Sequence, residues 1–325
     1  MNFYDFAPDA ARAQMLDKRM QKGLADGLRH IHERTAATEG FERLMLERPI
    51  DLISEGEAAS PATFGWYYEM TEALLSDDMD SAMAAARRLA SIGPAAPAMV
   101  INRYPAGADG PEGDIYARRL DDLAGEVFRP APDDLMATFP DRLAAGFDLL
   151  DRTVPELAAE IRSLIREIAL AVGNPDAAMQ FDGGSCYQLW GLLVINPQYH
   201  TSPVAIAEVL AHESAHSLLF GFTFDEPLVR NPDSELYPSP LRVDLRPMDG
   251  IYHATFVSAR MCWAMQRVAA DTGIEGAARA MAAEAAASDT LNFAAGHSVV
   301  AEHGRLTETG RALMDRAESY MRSAD

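Results

Sequence analysis

Cysteine is nearly absent from this sequence. Cys186 and Cys262 are the only two in 325 residues, far apart and outside any Cys-x-x-Cys pattern. That spacing argues against a disulfide framework. Long apolar runs are missing as well. The longest are interrupted by Arg, Glu or His well short of the ~18 residues that a membrane span requires. The opening MNFYDFAPDAARAQMLDKRM is acidic early and has no apolar stretch, so no secretory signal is expected. Basic residues are scarce, 28 Lys and Arg against 49 Asp and Glu, for a formal charge of −21. A nucleic-acid binder needs a basic face, so nucleic acid is not an expected partner. No repeat of fixed period is visible. These absences leave a soluble, cytoplasmic protein with no membrane partner.

What is present is an ordinary globular composition. Hydrophobic residues make up 48% and charged residues 24%, enough for one large domain or two modest ones. The spacing predicts helices over DAARAQMLDKRMQKGLADGLRHIHER, ATFGWYYEMTEALLS and DMDSAMAAARRLASIG. From Pro94 to about Pro140 the chain is turn-prone, and a domain border is expected there. VPELAAEIRSLIREIALAVG reads as one helix from Pro155 to Gly173. GGSCYQLWGLLVINPQYH reads as strand, with aromatic and branched residues between Gly-Gly and Asn-Pro. Helices follow over 203–220, from Ile251 onward, through the Ala-rich stretch from Ile274, and at the C-terminus. The expected fold is mainly α with a small β-sheet. An N-terminal helical region, 1–140, would serve peptide recognition. A metal-binding catalytic region, 141–325, would pack its motif helix beside a short sheet as zinc peptidases do.

That motif is His-Glu-Ser-Ala-His, residues 212 to 216. Residues four apart lie on one face of a helix, so His212 and His216 can point at one ion. Imidazole suits Zn, Fe, Cu and Ni alike, so the pair does not choose a metal. Glu213 stands where a peptidase keeps its general base. A catalytic ion needs a third protein ligand. Leu219 and Phe222 exclude the peptidase class that continues with a third histidine in the same helix. Glu226 and Glu235 fall in a Pro-rich loop. His253, at the start of the next helix, is the sharper candidate, with Asp249 and Glu235 as alternatives. Arg242, Asp244 and Arg246 precede His253, and Arg260 follows it by two turns on the same face. Arginines there suit a carboxylate, of a peptide or of 2-oxoglutarate, although any one of them could serve a structural ion pair.

The combination of HESAH, LYPSPLRVDLRPMDGIYHATFV and the terminal LTETGRALMD resembles the HExxH-domain proteins that modify ribosomally made peptides, over about residues 180 to 325. That family is described as 2-oxoglutarate-dependent peptide β-hydroxylases. The resemblance implies iron(II) held by His212, His216 and His253, and Glu213 as an acid/base group or weak ligand. It implies that Arg246 or Arg242 binds 2-oxoglutarate, and that the partner is a precursor peptide. Arg260 as a further co-substrate contact comes from helix geometry alone. Three histidines depart from the two-histidine, one-carboxylate set of ordinary iron oxygenases, which leaves Glu213 or Asp249 to complete the sphere. A zinc metallopeptidase is the alternative reading, and a non-catalytic metal- or peptide-binding domain is a third.

Overall fold

The computed structural model describes residues 3–35, 46–105, 114–124, 127–177, 181–239 and 244–324. Among these residues the chain is mainly helical with a small mixed sheet. In chain order the elements are α1 (Ala10–Thr35), α2 (Glu47–Ser54), α3 (Pro61–Leu75), α4 (Met79–Ser91), β1 (Val100–Arg103), α5 (Ile115–Ala124) and β2 (Phe128–Pro130). Then come α6 (Asp133–Thr153), α7 (Pro155–Leu164), β3 (Glu167–Gly173), β4 (Gly183–Ser185), a short 3-10 turn (Tyr187–Leu189) and β5 (Leu192–Ile195). The last third holds α8 (Pro203–Phe222), β6 (Leu236–Tyr237), β7 (Arg246–Pro247), α9 (Met248–Ala270), α10 (Gly276–His303) and α11 (Glu308–Ala324). No helix of the described residues is long and apolar enough to cross a membrane.

The chain forms two compact units. One contains Met1–Gln14, Asp141–Ser163 and His200–Asp325, and the other Met15–Pro140 and Leu164–Tyr199. The sheet lies in the second unit. β3 is its central strand, parallel to β1 through Glu167–Leu170 and to β5 through the same residues. Beyond Leu170, β3 pairs antiparallel with β2, and β4 pairs antiparallel with β5. The single helix expected over 155–173 is therefore two elements, α7 and β3. A continuous apolar run such as Ile168–Val172 suits a buried parallel strand as well as a buried helix, and strand partners on both sides decide between them. The one acid of that strand, Glu167, is buried and accepts hydrogen bonds from Asn102 Nδ2 (2.9 Å) and Tyr116 Oη (2.8 Å). Trp190 is buried with its indole donating to Asp17 Oδ1 at 2.9 Å, as a core tryptophan must.

The first unit is built around α8 and α9. Helix α8 opens on Ser202, whose hydroxyl accepts from Ala205 N, with Pro203 in the first turn. It is apolar on nearly every side, which marks an interior helix rather than an amphipathic one. Helix α9 packs along both α8 and α10. The approach of α10 needs Gly296, where a Cβ would stand 2.2 Å from Thr255 Oγ1.

At the start of this unit a fully buried carboxylate, Glu160 on α7, joins three segments. It pairs with Arg12 Nη2 at 2.9 Å and with Arg260 Nη2, and accepts from Asp9 N at 2.8 Å. Arg12 also donates to the Asp5 and Ala7 carbonyls, and Arg260 to the Phe6 carbonyl at 2.7 Å. Arg260 and Arg12 are each 1% exposed. Removing the shared partner would strand two buried cations. Glu160→Ala is expected to cost about 3–5 kcal/mol in urea unfolding. Exposed Glu156→Ala on the same helix should stay within about 0.5 kcal/mol.

Candidate metal centre

Helix geometry delivers the first two histidines. His212 and His216 project from one face of α8, with Nε2 of each 3.3 Å from the other and the rings at 56°. Glu213 is buried, its Oε1 3.8 Å from His212 Nε2. These three residues form a cluster whose donor atoms all lie within 4.8 Å of one another. A buried carboxylate beside two imidazoles on an apolar helix is a costly arrangement unless a cation or a proton balances it.

His253, one turn into α9, faces the other nitrogen of His216. The two Nδ1 atoms are 3.1 Å apart and the rings are stacked, with centroids 5.4 Å apart and planes at 16°. In this arrangement His216 is the centre of the trio, with His212 at its Nε2 and His253 at its Nδ1. Bringing all three to one ion requires an imidazole ring to turn about its outer torsion, which is a soft one. Phe220 covers His253 with ring centroids at 5.4 Å, and Met261 Sδ sits 3.1 Å from His212 Nδ1.

The other carboxylates of the region have different partners. Glu235 accepts from Tyr237 Oη at 2.7 Å and Arg305 Nη2 at 2.6 Å. Glu226 accepts from Thr309 Oγ1 at 2.7 Å. Asp249 remains near the histidines, with Oδ2 4.0 Å from His253 Nε2.

The arginines separate. Arg246 lies in β7, where pairing with Tyr237 in β6 aims it into a cavity of about 610 Å³. That cavity is also lined by His212, His216, Ser258, Met261, Asp289 and Asn292. Arg246 Nε lies 2.8 Å from Asp244 Oδ2 but off its N–H direction, so this N–H makes no hydrogen bond. Arg260 is placed differently from the co-substrate contact expected of it. It shares a side of α9 with His253, but two turns of rise carry its guanidinium to Glu160 and Phe6, where it is fully committed. Arg242 lies outside the described residues. Gly250, Ala254 and Ser258 line the cavity at intervals of four on α9, and their small side chains leave the space open.

Two features of the wall were not legible from the motif. Asp289 and Asn292 come from α10, three residues apart on one face, far downstream of the histidines. Asp289 is 3% exposed, and burial, with Glu208 nearby, pushes its carboxyl up to about 8. A signal was present: an aspartate interrupts an Ala-rich helix, where it is a poor helix former.

Burial, and then the neighbouring His212 and His253, hold His216 well below the usual imidazole range. Burial also lowers His253, against the pull of Asp249. Both rings are therefore neutral near pH 7, the form that binds a metal. Comparison with family models and with curated proteins returned no match to this chain.

A pH dependence follows for the metal-free protein. In the unfolded chain these histidines take up protons below about pH 6.5, whereas in the folded chain they resist until lower pH. Stability is thus full above pH 6.5 and declines as pH falls through the acid range. His216→Gln should flatten that decline, as read from urea midpoints at pH 7.5, 6.5 and 5.5. Asp289 has the opposite sign. Its raised carboxyl costs stability progressively between about pH 4 and 8, so Asp289→Asn should raise the midpoint at pH 8 more than at pH 5.

Proposed function

We propose that this chain is an iron(II)- and 2-oxoglutarate-dependent oxygenase that hydroxylates Cβ of a residue in a ribosomally made precursor peptide. The observation that carries this reading is Arg246 on the wall of the cavity that receives His212 and His216. The donor set fits the metal: neutral imidazoles suit iron(II) and zinc and disfavour magnesium or calcium. His212, His216 and His253 would hold it, with Glu213 close at hand. Iron, 2-oxoglutarate and O2 together supply oxidation of an unactivated C–H bond, chemistry that no side chain can perform.

The chain's own residues do the rest. Arg246 binds the distal carboxylate of the co-substrate through the terminal nitrogens of its planar fork, beside the Asp244 carboxylate that lies 2.8 Å from its Nε. Glu213, buried beside His212, orients that ring and balances the positive charge of the centre. Phe220 packs against His253, and Met261 against His212. An acidic chain of charge −21 would favour a basic peptide over an acidic one. A reducing cytoplasm is the compartment that keeps iron ferrous and leaves Cys186 and Cys262 as free thiols.

The zinc peptidase reading has one observation in its favour. Glu213 Oε1, 3.8 Å from His212 Nε2, stands within reach of the water that a hydrolase activates. The two separate on turnover. With Fe(II), O2 and 2-oxoglutarate, slow succinate release without any peptide is expected. Arg246→Ala should raise the KM for 2-oxoglutarate roughly tenfold or more, the loss expected of a charge-assisted pair. Zinc-dependent cleavage of test peptides that is lost in Glu213→Ala, with no succinate, would make the chain a hydrolase.

A further inference from the structure

Asp289 is a buried acid of α10. Its side chain lies on the wall of the cavity that receives His212 and His216, 3% exposed, and its Oδ2 has no hydrogen-bond partner. An unsatisfied buried carboxyl oxygen costs about 1–3 kcal/mol, and more when ionised. The residue also interrupts an Ala-rich helix at a position where alanine would be better tolerated. Neighbouring Thr290, by contrast, is accounted for, its hydroxyl donating to Ala286 O and lying 3.4 Å from Cys262 Sγ.

Asp289 does not belong to the ligand cluster. The donor atoms that approach one another within 4.8 Å are those of His212, Glu213 and His216. What stands near it is a second carboxylate, Glu208, whose negative charge acts on Asp289. Glu208 lies one turn before His212 on α8, so positions 208, 212 and 216 follow one another along a single helix face. Asn292, one turn beyond Asp289, adds an amide to the same wall. A hydrogen-bond donor that enters the cavity would satisfy the open oxygen. A donor carrying positive charge would also pair with the charge of the Asp289 carboxylate, which a neutral donor does not. Arg246, in the strand pair that leads into α9, supplies the cavity's opposite sign and suits an anion.

We propose that the cavity binds a cationic side chain of the substrate peptide, a lysine or arginine, whose charged head is held by Asp289. This extends the peptide hydroxylase reading by naming the class of residue that the cavity accepts. Asp289 is then a binding residue for substrate, separate from the groups that hold the metal.

The test uses the full chain labelled with [13C-methyl]methionine. Met261 lines the cavity, and its resonance is identified by its loss in Met261→Leu. The probes are acetylated, amidated alanine pentapeptides with lysine, arginine, norleucine or glutamate at the centre, added to metal-free and zinc-loaded protein. The lysine and arginine peptides should shift the Met261 methyl, and the norleucine and glutamate peptides should not. Asp289→Asn, nearly isosteric, should weaken the lysine peptide roughly tenfold or more while zinc uptake stays unchanged. An equal shift with norleucine, lysine binding that survives Asp289→Asn, or no shift with any peptide would overturn the proposal. So would loss of zinc uptake in Asp289→Asn, which would make Asp289 a ligand. Zinc uptake by the parent protein is read separately. Its failure would sink the metal reading, whereas the peptide shifts judge the cationic site alone.

Discussion

The first unit depends on Glu160. A carboxylate with no exposure to solvent is unstable in a protein interior unless cations and N–H groups surround it. Here Arg12, Arg260 and the Asp9 amide do so. The consequence is geometric. The segment leading into α1, the helix α7 and the middle of α9 are fixed to one point. Phe6 is then held between Phe256, in edge contact at 5.9 Å, and Tyr320, stacked at 5.3 Å. With α9 fixed, its N-terminal half is fixed against α8, and His253 meets His216. Arg260 therefore fixes the helix that carries His253, through Glu160 and the Phe6 carbonyl.

The cavity divides its electrostatic labour between walls. His216 and His253 are kept neutral by burial, the form that would accept a metal ion. Arg246 offers a guanidinium from the entry to α9, and Asp289 offers a carboxyl from α10. Asp289 is held there with an unsatisfied buried oxygen, which costs stability. Local rules for burial and propensity are broken most often at functional sites. The small residues Gly250, Ala254 and Ser258 belong to the same arrangement, because larger side chains there would fill the space that a ligand needs.

Much of this was legible in the sequence. Four-residue spacing alone places His212 and His216 together, and the order of Ser202, Pro203 and an apolar run marks the start of α8. Mainly helical content with a small sheet also follows from pattern. Three things were not legible, each for a physical reason. The run Ile168–Val172 has no periodicity that separates helix from strand, and only strand partners resolve it. Arg260 shares a helix side with His253, but helix phase does not say where a long side chain ends, and Glu160 lies a hundred residues upstream. Asp289 carries no motif at all. Its place in the cavity comes from the packing of α10 on α9, which neither helix's own pattern encodes.

The most direct test of the central claim is an anaerobic titration of metal-free protein with Fe(II) and then 2-oxoglutarate, followed in the visible range. The account predicts a weak charge-transfer band that needs both additions. The band should disappear in His212→Ala and His253→Ala and weaken in Arg246→Ala. A protein that takes up zinc tightly but gives no band with iron and 2-oxoglutarate would contradict it, as would a band that survives the loss of His212.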